Sequence, residues 1–211
     1  MSVSSISKIV QNGIWFDLKN WRELMPNGDN LTAIIDRLFK LLEERQVDYL
    51  LVGGVALLSY VDGRNTQDID FIFSRKSLER FPELVVTEEN KDFARANFGD
   101  LQVALFLTDN QLFSLVQANY ETEKTFGSLK VRTSTVEGLI LLKLYALPSL
   151  YRQGKFDKVS VYETDILLLM LRHDVDIDGL LQVLTEYLLE SDMQEINQVV
   201  ADISKRMERF R

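Results

Sequence analysis

Residues 51–73 read LVGGVALLSYVDGRNTQDIDFIF. An apolar run ends at Gly53-Gly54, a short helical segment follows over 55–61, and Asp68-Ile69-Asp70 opens a second apolar run that ends at Phe73. In a strand, residues i and i+2 share a face, so Asp68 and Asp70 project together while Ile69 and Phe71 turn to the other side. Two carboxylates this close repel, and burying them unpaired is costly. Water can solvate them, arginine or lysine can pair with them, or a divalent cation can sit between them. Oxygen ligands of this kind suit Mg²⁺, which keeps several waters and recruits substrate phosphates. The glycines add to this. They stand between a strand and a helix start, where glycine lets backbone approach a ligand closely and the helix N-terminus offers N–H groups to an anion.

The flanking sequence supplies a scaffold. Leu31 to Arg45 is an amphipathic helix, with Leu31, Ile34, Ile35, Leu38, Leu41 and Leu42 on one face. MPNGDN at 25–30 is a turn in which Asp29 or Asn30 caps that helix. DYLLV at 48–52 reads as a strand covered on both faces. A helical turn is expected at 77–81, ended by Pro82, a third strand at 101–107 (LQVALFL), a helix at 110–119 and a hairpin within 125–133. Helices are expected at 135–151, 160–172, 177–190 and 192–209. The domain plan is a lead-in over 1–30, in which Trp15, Phe16 and Trp21 can pack on the rest, an α/β domain over 31–134, and a helical region over 135–211 that shares its core.

Composition narrows the function classes. The chain has 211 residues, 46% hydrophobic and 27% charged, which is enough for a real core. There is no cysteine and only one histidine, His173, so thiolate chemistry, disulfides and His-based triads are not on offer. The net charge of −8 argues against a protein that coats nucleic acid non-specifically. One local stretch is basic, through Lys124, Lys130, Arg132, Lys143, Arg152, Lys155 and Lys158. The N-terminus lacks the apolar core of a signal peptide, and GLILLKLYALPSLY is too short to span a bilayer. A soluble, cytoplasmic protein with no membrane partner is expected.

The order Gly53, Gly54, Ala56, Leu57, Arg64, Thr66, Asp68, Ile69, Asp70, Phe71 resembles the nucleotidyltransferase fold. It is most similar to the AbiEii-like family, which includes toxins of bacterial toxin–antitoxin and phage-defence systems. VEGLILLKLYAL at 136–147, then Arg152 and Asp165, resembles that family's lysine helix and the segment after it. The resemblance covers roughly residues 31–172. It implies an α+β, polymerase-β-like architecture: a small mixed sheet with flanking helices, followed by a helical half. It also implies a Mg²⁺-dependent (or Mn²⁺-dependent) enzyme that moves a nucleoside monophosphate from an NTP to an acceptor hydroxyl. In the family the acceptor is often the 3′ end of a tRNA, and a toxin is held in check by a cognate antitoxin. Carried onto this chain, Asp68 and Asp70 hold the metal, Gly53 and Gly54 present N–H groups to the phosphates, and Lys143 stabilises phosphate charge. Arg64 and Thr66 orient the carboxylates or touch phosphate. Asp165 sits among leucines and needs a partner, for which Lys143 and Arg152 are the candidates; whether that pair is structural or catalytic is open. The basic stretch from Lys124 to Lys158 is a candidate guide for RNA.

One departure stands out. Many nucleotidyltransferases carry a third carboxylate on the next strand, where it completes the metal site and accepts the proton of the attacking hydroxyl. In these enzymes that strand follows a pattern like V-D-L-hydrophobic; alternation along LQVALFL sets Gln102, Ala104 and Phe106 on one face, and the resemblance implies that the third acid would fall at Ala104. Three alternatives follow: Asp109 or Asp165 substitutes, the reaction runs with two carboxylates, or the protein binds nucleotide or another protein without fast chemistry. A small-molecule acceptor, such as an aminoglycoside-like cation, is a further reading.

Overall fold

A computed structural model describes residues 28–61, 68–126 and 129–209, with side chains from residue 33 onward. The expectations placed on Trp15, Phe16, Trp21, Arg64 and Thr66 lie outside these residues. Contacts divide the chain into two compact units, one ending at Ser134 and the other beginning at Thr135.

The first unit is a seven-stranded mixed sheet with helices. Helix α1 (Gly28–Glu44) precedes β1 (Tyr49–Val52), α2 (Gly53–Leu57), β2 (Ile69–Phe73) and α3 (Arg75–Glu79). Then come β3 (Val85–Glu89), β4 (Phe93–Phe98), β5 (Leu101–Leu107), α4 (Gln111–Asn119), β6 (Glu121–Phe126) and β7 (Leu129–Ser134). The strand order is β3-β4-β5-β2-β1-β7-β6. β2 runs antiparallel to β1 and parallel to β5. Both β1 and β2 are therefore interior strands, which explains their near-continuous apolar sequence: all of β1 is buried. On one face of the sheet, Ile35, Leu38, Phe39 and Leu42 of α1 are almost fully buried. Phe39 meets Tyr49 and Phe71 edge to face, with ring centroids 6.3 and 5.8 Å apart, and Phe73 lies 5.8 Å from Phe71.

Several boundaries differ from the sequence expectation. Helix α1 already includes Gly28, so Asp29 and Asn30, expected to precede it, lie within it. Helix α2 starts on the glycines themselves and spans only five residues, with Leu58–Tyr60 continuing as a turn. The hairpin at β6–β7 begins at Glu121, earlier than expected. The pair β3–β4 is an addition: its residues carried no expected element.

The second unit is helical: α5 (Val136–Arg152), α6 (Phe156–Arg172), α7 (Ile177–Leu184) and α8 (Glu190–Glu208). Thr135 caps α5 by accepting from the Gly138 N–H. The expected 177–190 helix ends early at Leu184, and α6 begins earlier, at Phe156. Ile140, Leu144, Leu147, Ile166, Leu169, Leu184 and Ile196 are fully buried. No described helix of the chain is long and apolar enough to cross a membrane.

Candidate functional site

Asp70 is the half-buried residue in a strand whose other four members are buried. It pairs across the sheet with Val52 on one side and Ala104 on the other. Val52 immediately precedes Gly53, so the register brings the glycines to the Asp70 carboxylate. Gly53 has φ +66°, a left-handed conformation that side chains disfavour. A Cβ on Gly53 would lie 1.8 Å from Asp70 Oδ2 and 2.7 Å from Asp70 Cβ. The Gly54 N–H donates to Asp70 Oδ2 over 3.4 Å. The glycine pair thus does something the sequence expectation lacked: it makes room for a carboxylate and aims a backbone N–H at it. Asp68 is exposed, one residue before the strand begins.

Does this arrangement suit a divalent cation? Its donors are hard carboxylate oxygens, two residues apart at a strand's mouth, one of them oriented by a backbone N–H. Among the described residues, no group of three or more His, Cys, Asp or Glu side chains could hold a metal. An all-protein cage therefore does not fit. A Mg²⁺ that keeps waters and takes its remaining oxygens from phosphates does.

The register also locates the missing third acid. Ala104 lies directly beside Asp70, at the position the resemblance implied for the third acid. Asp109 does not fill that place. It lies past the far end of β5, an end itself about 10 Å from Ala104 along the strand, and there Arg75 Nε meets its Oδ2 at 3.0 Å. The same register adds neighbours that sequence alone did not connect. Arg95 of β4 lies opposite Ala104, and Phe93 lies opposite Phe106. The signal for β4 was present in FARANF, whose alternate residues Ala94, Ala96 and Phe98 are buried, but two of the three are only alanine.

Within the first unit the basic stretch is engaged locally. Lys124 lies over the Tyr60 ring at 4.6 Å, and Lys130 pairs with Glu123 at 3.1 Å. Arg132 donates to Asp48 at 3.0 Å and to the Val47 carbonyl at 2.7 Å. These contacts tie each of the three cations to a neighbour in the same unit, and the exposed Lys130–Glu123 pair is a loose one.

The remaining sequence candidates are in the helical unit. Lys143 Nζ meets Asp165 Oδ2 at 2.8 Å, with side chains only 6% and 1% exposed. The same ammonium lies 4.4 Å from the centre of the Tyr162 ring. Asp165 is therefore the partner of Lys143; Arg152 pairs instead with Asp192. Nearby, the Tyr151 hydroxyl donates to Glu163 Oε1 at 2.5 Å. Burial first, and then this bond and the Glu163 charge, push the Tyr151 hydroxyl up to about 12. Because the folded value is raised above the usual 10, the stability this group contributes is complete below pH 10. It is lost as pH rises through 12. Burial also raises the Tyr49 hydroxyl, so an ultraviolet titration of tyrosinate is expected to contain late steps, of which Tyr151→Phe removes the one near pH 12. Normal titration of every tyrosine would contradict this.

Neither family models nor curated proteins match the chain, so the AbiEii-like resemblance rests on its motif alone. Solved structures do match. The solution structure of the antibiotic-resistance factor ANT(2″)-Ia has a TM-score of 0.51 at 16% identity, over 84% of this chain and 95% of that one. ANT(2″)-Ia in complex with adenylyl-2″-tobramycin gives 0.49 at 16% identity, over 82% and 97%. An antigenic nucleotidyltransferase-like protein from Paracoccidioides brasiliensis gives 0.48 at 14% identity, over 79% and 91%. At these identities the likeness is one of fold: the chain has a nucleotidyltransferase-like, mixed α/β architecture.

Proposed function

We propose that the protein is a nucleotidyltransferase that moves a nucleoside monophosphate from an NTP to an acceptor hydroxyl. The observation that carries this is the Asp70 carboxylate seated in the Gly53-Gly54 turn, with Asp68 at the strand mouth, in a fold of this class. In the reaction the acceptor oxygen bonds to the α-phosphorus. The bond from that phosphorus to the bridging oxygen breaks, and pyrophosphate leaves with the electron pair. Asp68 and Asp70 would hold Mg²⁺ or Mn²⁺, which when bound supplies charge neutralisation to the triphosphate. Asp70 needs little reorganisation, because its strand is paired on both sides and Gly54 already donates to it. With alanine at 104, the proton of the attacking hydroxyl passes to water or to a phosphate oxygen.

Lys143 enters this reading as a residue held by Asp165 and Tyr162, with Arg152 fixing Asp192. Their contribution is first to the shape of the helical unit. Arg64 and Thr66 keep the roles that the motif implies. The acceptor classes in view are an RNA 3′ end, as in the toxin family, and a small molecule, as in the adenylyl-tobramycin complex of a neighbour.

The test is incubation with each α-labelled NTP, Mg²⁺ and either total RNA or a panel of hydroxyl-bearing small molecules. Label is expected on an acceptor, with pyrophosphate released. Asp70→Asn is expected to lower that rate about 10²–10³-fold. Equal transfer by Asp70→Asn would remove Asp70 from the site. Ala104 favours one other reading, a nucleotide-binding module of the same fold. Calorimetric binding of NTP with Mg²⁺ but without pyrophosphate release would select it.

A further inference from the structure

The cross-strand register lays out a second group of side chains on the Asp70 face. Asp70, Ala104 and Arg95 are successive partners in one row across β2, β5 and β4. Two residues further along β5 and β4, on the same face, Phe106 pairs with Phe93. Their ring centroids are 5.3 Å apart, and Phe113 of α4 backs both, at 5.2 and 5.3 Å. Phe93 is 43% exposed, unusual for a phenylalanine held in an aromatic cluster. Arg95 is 72% exposed and bonded through one nitrogen to Glu88 at 3.3 Å. An exposed pair of this kind is loose, and the guanidinium keeps further donors. Ala104 between them leaves the floor low. Arg95 and Phe106 are diagonal neighbours, roughly 7–8 Å apart along the backbone.

We propose that Arg95, Phe93 and Phe106 form a nucleotide subsite beside Asp70, with a planar ring on the two phenylalanines and a phosphate on Arg95. A flat ring with an anion attached at one end matches an apolar aromatic patch next to a cation. A polycationic, saturated acceptor does not, because Arg95 repels it. The inference rests on the nucleotidyl-transfer reading, and deepens it by naming what lies next to the carboxylates. The bound nucleotide is either the incoming NTP or a nucleotide acceptor, and the kinetic arm below separates the two.

The test begins with adenosine 5′-monophosphate titrated calorimetrically into Asp70→Asn protein, so that binding is read apart from turnover. Saturable binding is expected. Phe93→Leu keeps apolar bulk but removes the ring face, and is expected to weaken binding about tenfold. Arg95→Gln is expected to weaken adenosine 5′-monophosphate about tenfold while leaving adenosine unchanged. No binding at millimolar ligand, or equal affinity in all variants that melt like wild type, would overturn the subsite. In proteins with intact Asp70, a raised KM for NTP in Arg95→Gln places the incoming nucleotide here, and a raised KM for the acceptor places the acceptor here. If both KM values stay unchanged, the proposal falls. Should wild type transfer no label while adenosine 5′-monophosphate binding still depends on Arg95, the subsite stands and the transfer reading falls.

Discussion

Gly53→Ala is expected to cost about 2–4 kcal/mol of stability and to silence the candidate site at the same time. Two causes add. The left-handed φ of +66° penalises any Cβ by about 1–2 kcal/mol. The new methyl would also stand 1.8 Å from Asp70 Oδ2, so the carboxylate must leave its place against the Gly54 N–H. Nucleotidyl transfer should fall to the level of Asp70→Asn. The two causes separate in a double-mutant cycle. Asp70→Gly removes the three atoms nearest the methyl, so Gly53→Ala should be about 1–2 kcal/mol less harmful in that background, leaving the backbone penalty behind. Denaturant melts of the four proteins measure this. Wild-type stability and turnover in Gly53→Ala would refute the account of the glycine pair.

Lys143→Met is expected to destabilise the protein by about 3–5 kcal/mol, a drop of about 6–20 °C in melting temperature if the 211 residues melt together. The methionine keeps much of the volume, so lost packing is not the cause. Asp165 is 1% exposed, and without the ammonium at 2.8 Å its charge remains buried and unpaired. Lys143→Met/Asp165→Leu removes both charges and should recover most of the loss. If the single substitution melts like wild type, the ion pair is not what holds α5 and α6 together. The same pair of proteins tests chemistry. A double mutant that is stable but transfers no label would give the Lys143–Asp165 pair a catalytic role in addition to its structural one.

The fold class was legible because the decisive strands are apolar and interior: DYLLV, IDFIF and LQVALFL announce themselves by composition and length. Ala104 could be set beside Asp70 from the resemblance, which picks the position along LQVALFL, while alternation only sets the face it shares with Gln102 and Phe106. The β3–β4 pair was not legible. β3 is exposed at all five residues and carries two glutamates, while β4 buries mainly alanines, so neither shows a strong apolar period. With β4 went Arg95 and Phe93, whose relation to Asp70 exists only through register. The glycines were found, but their neighbour was not: the sequence suggested phosphate, and the structure puts the Asp70 carboxylate there. Lys143 and Asp165 were paired correctly as one of two choices, because a carboxylate among leucines on α6 demands a cation. Arg152 went elsewhere, to Asp192 on α8, which no local pattern announces.

The position of β2 has a last consequence. It is the fourth of seven strands, with hydrogen-bonded neighbours on both sides. Such a strand opens only when the whole unit unfolds, so its amide hydrogens exchange on the slowest timescale of the molecule. Asp70 is thus mounted on an interior strand rather than on a loop. Ligand binding there does not first have to freeze a moving loop, and none of its free energy goes into ordering that carboxylate.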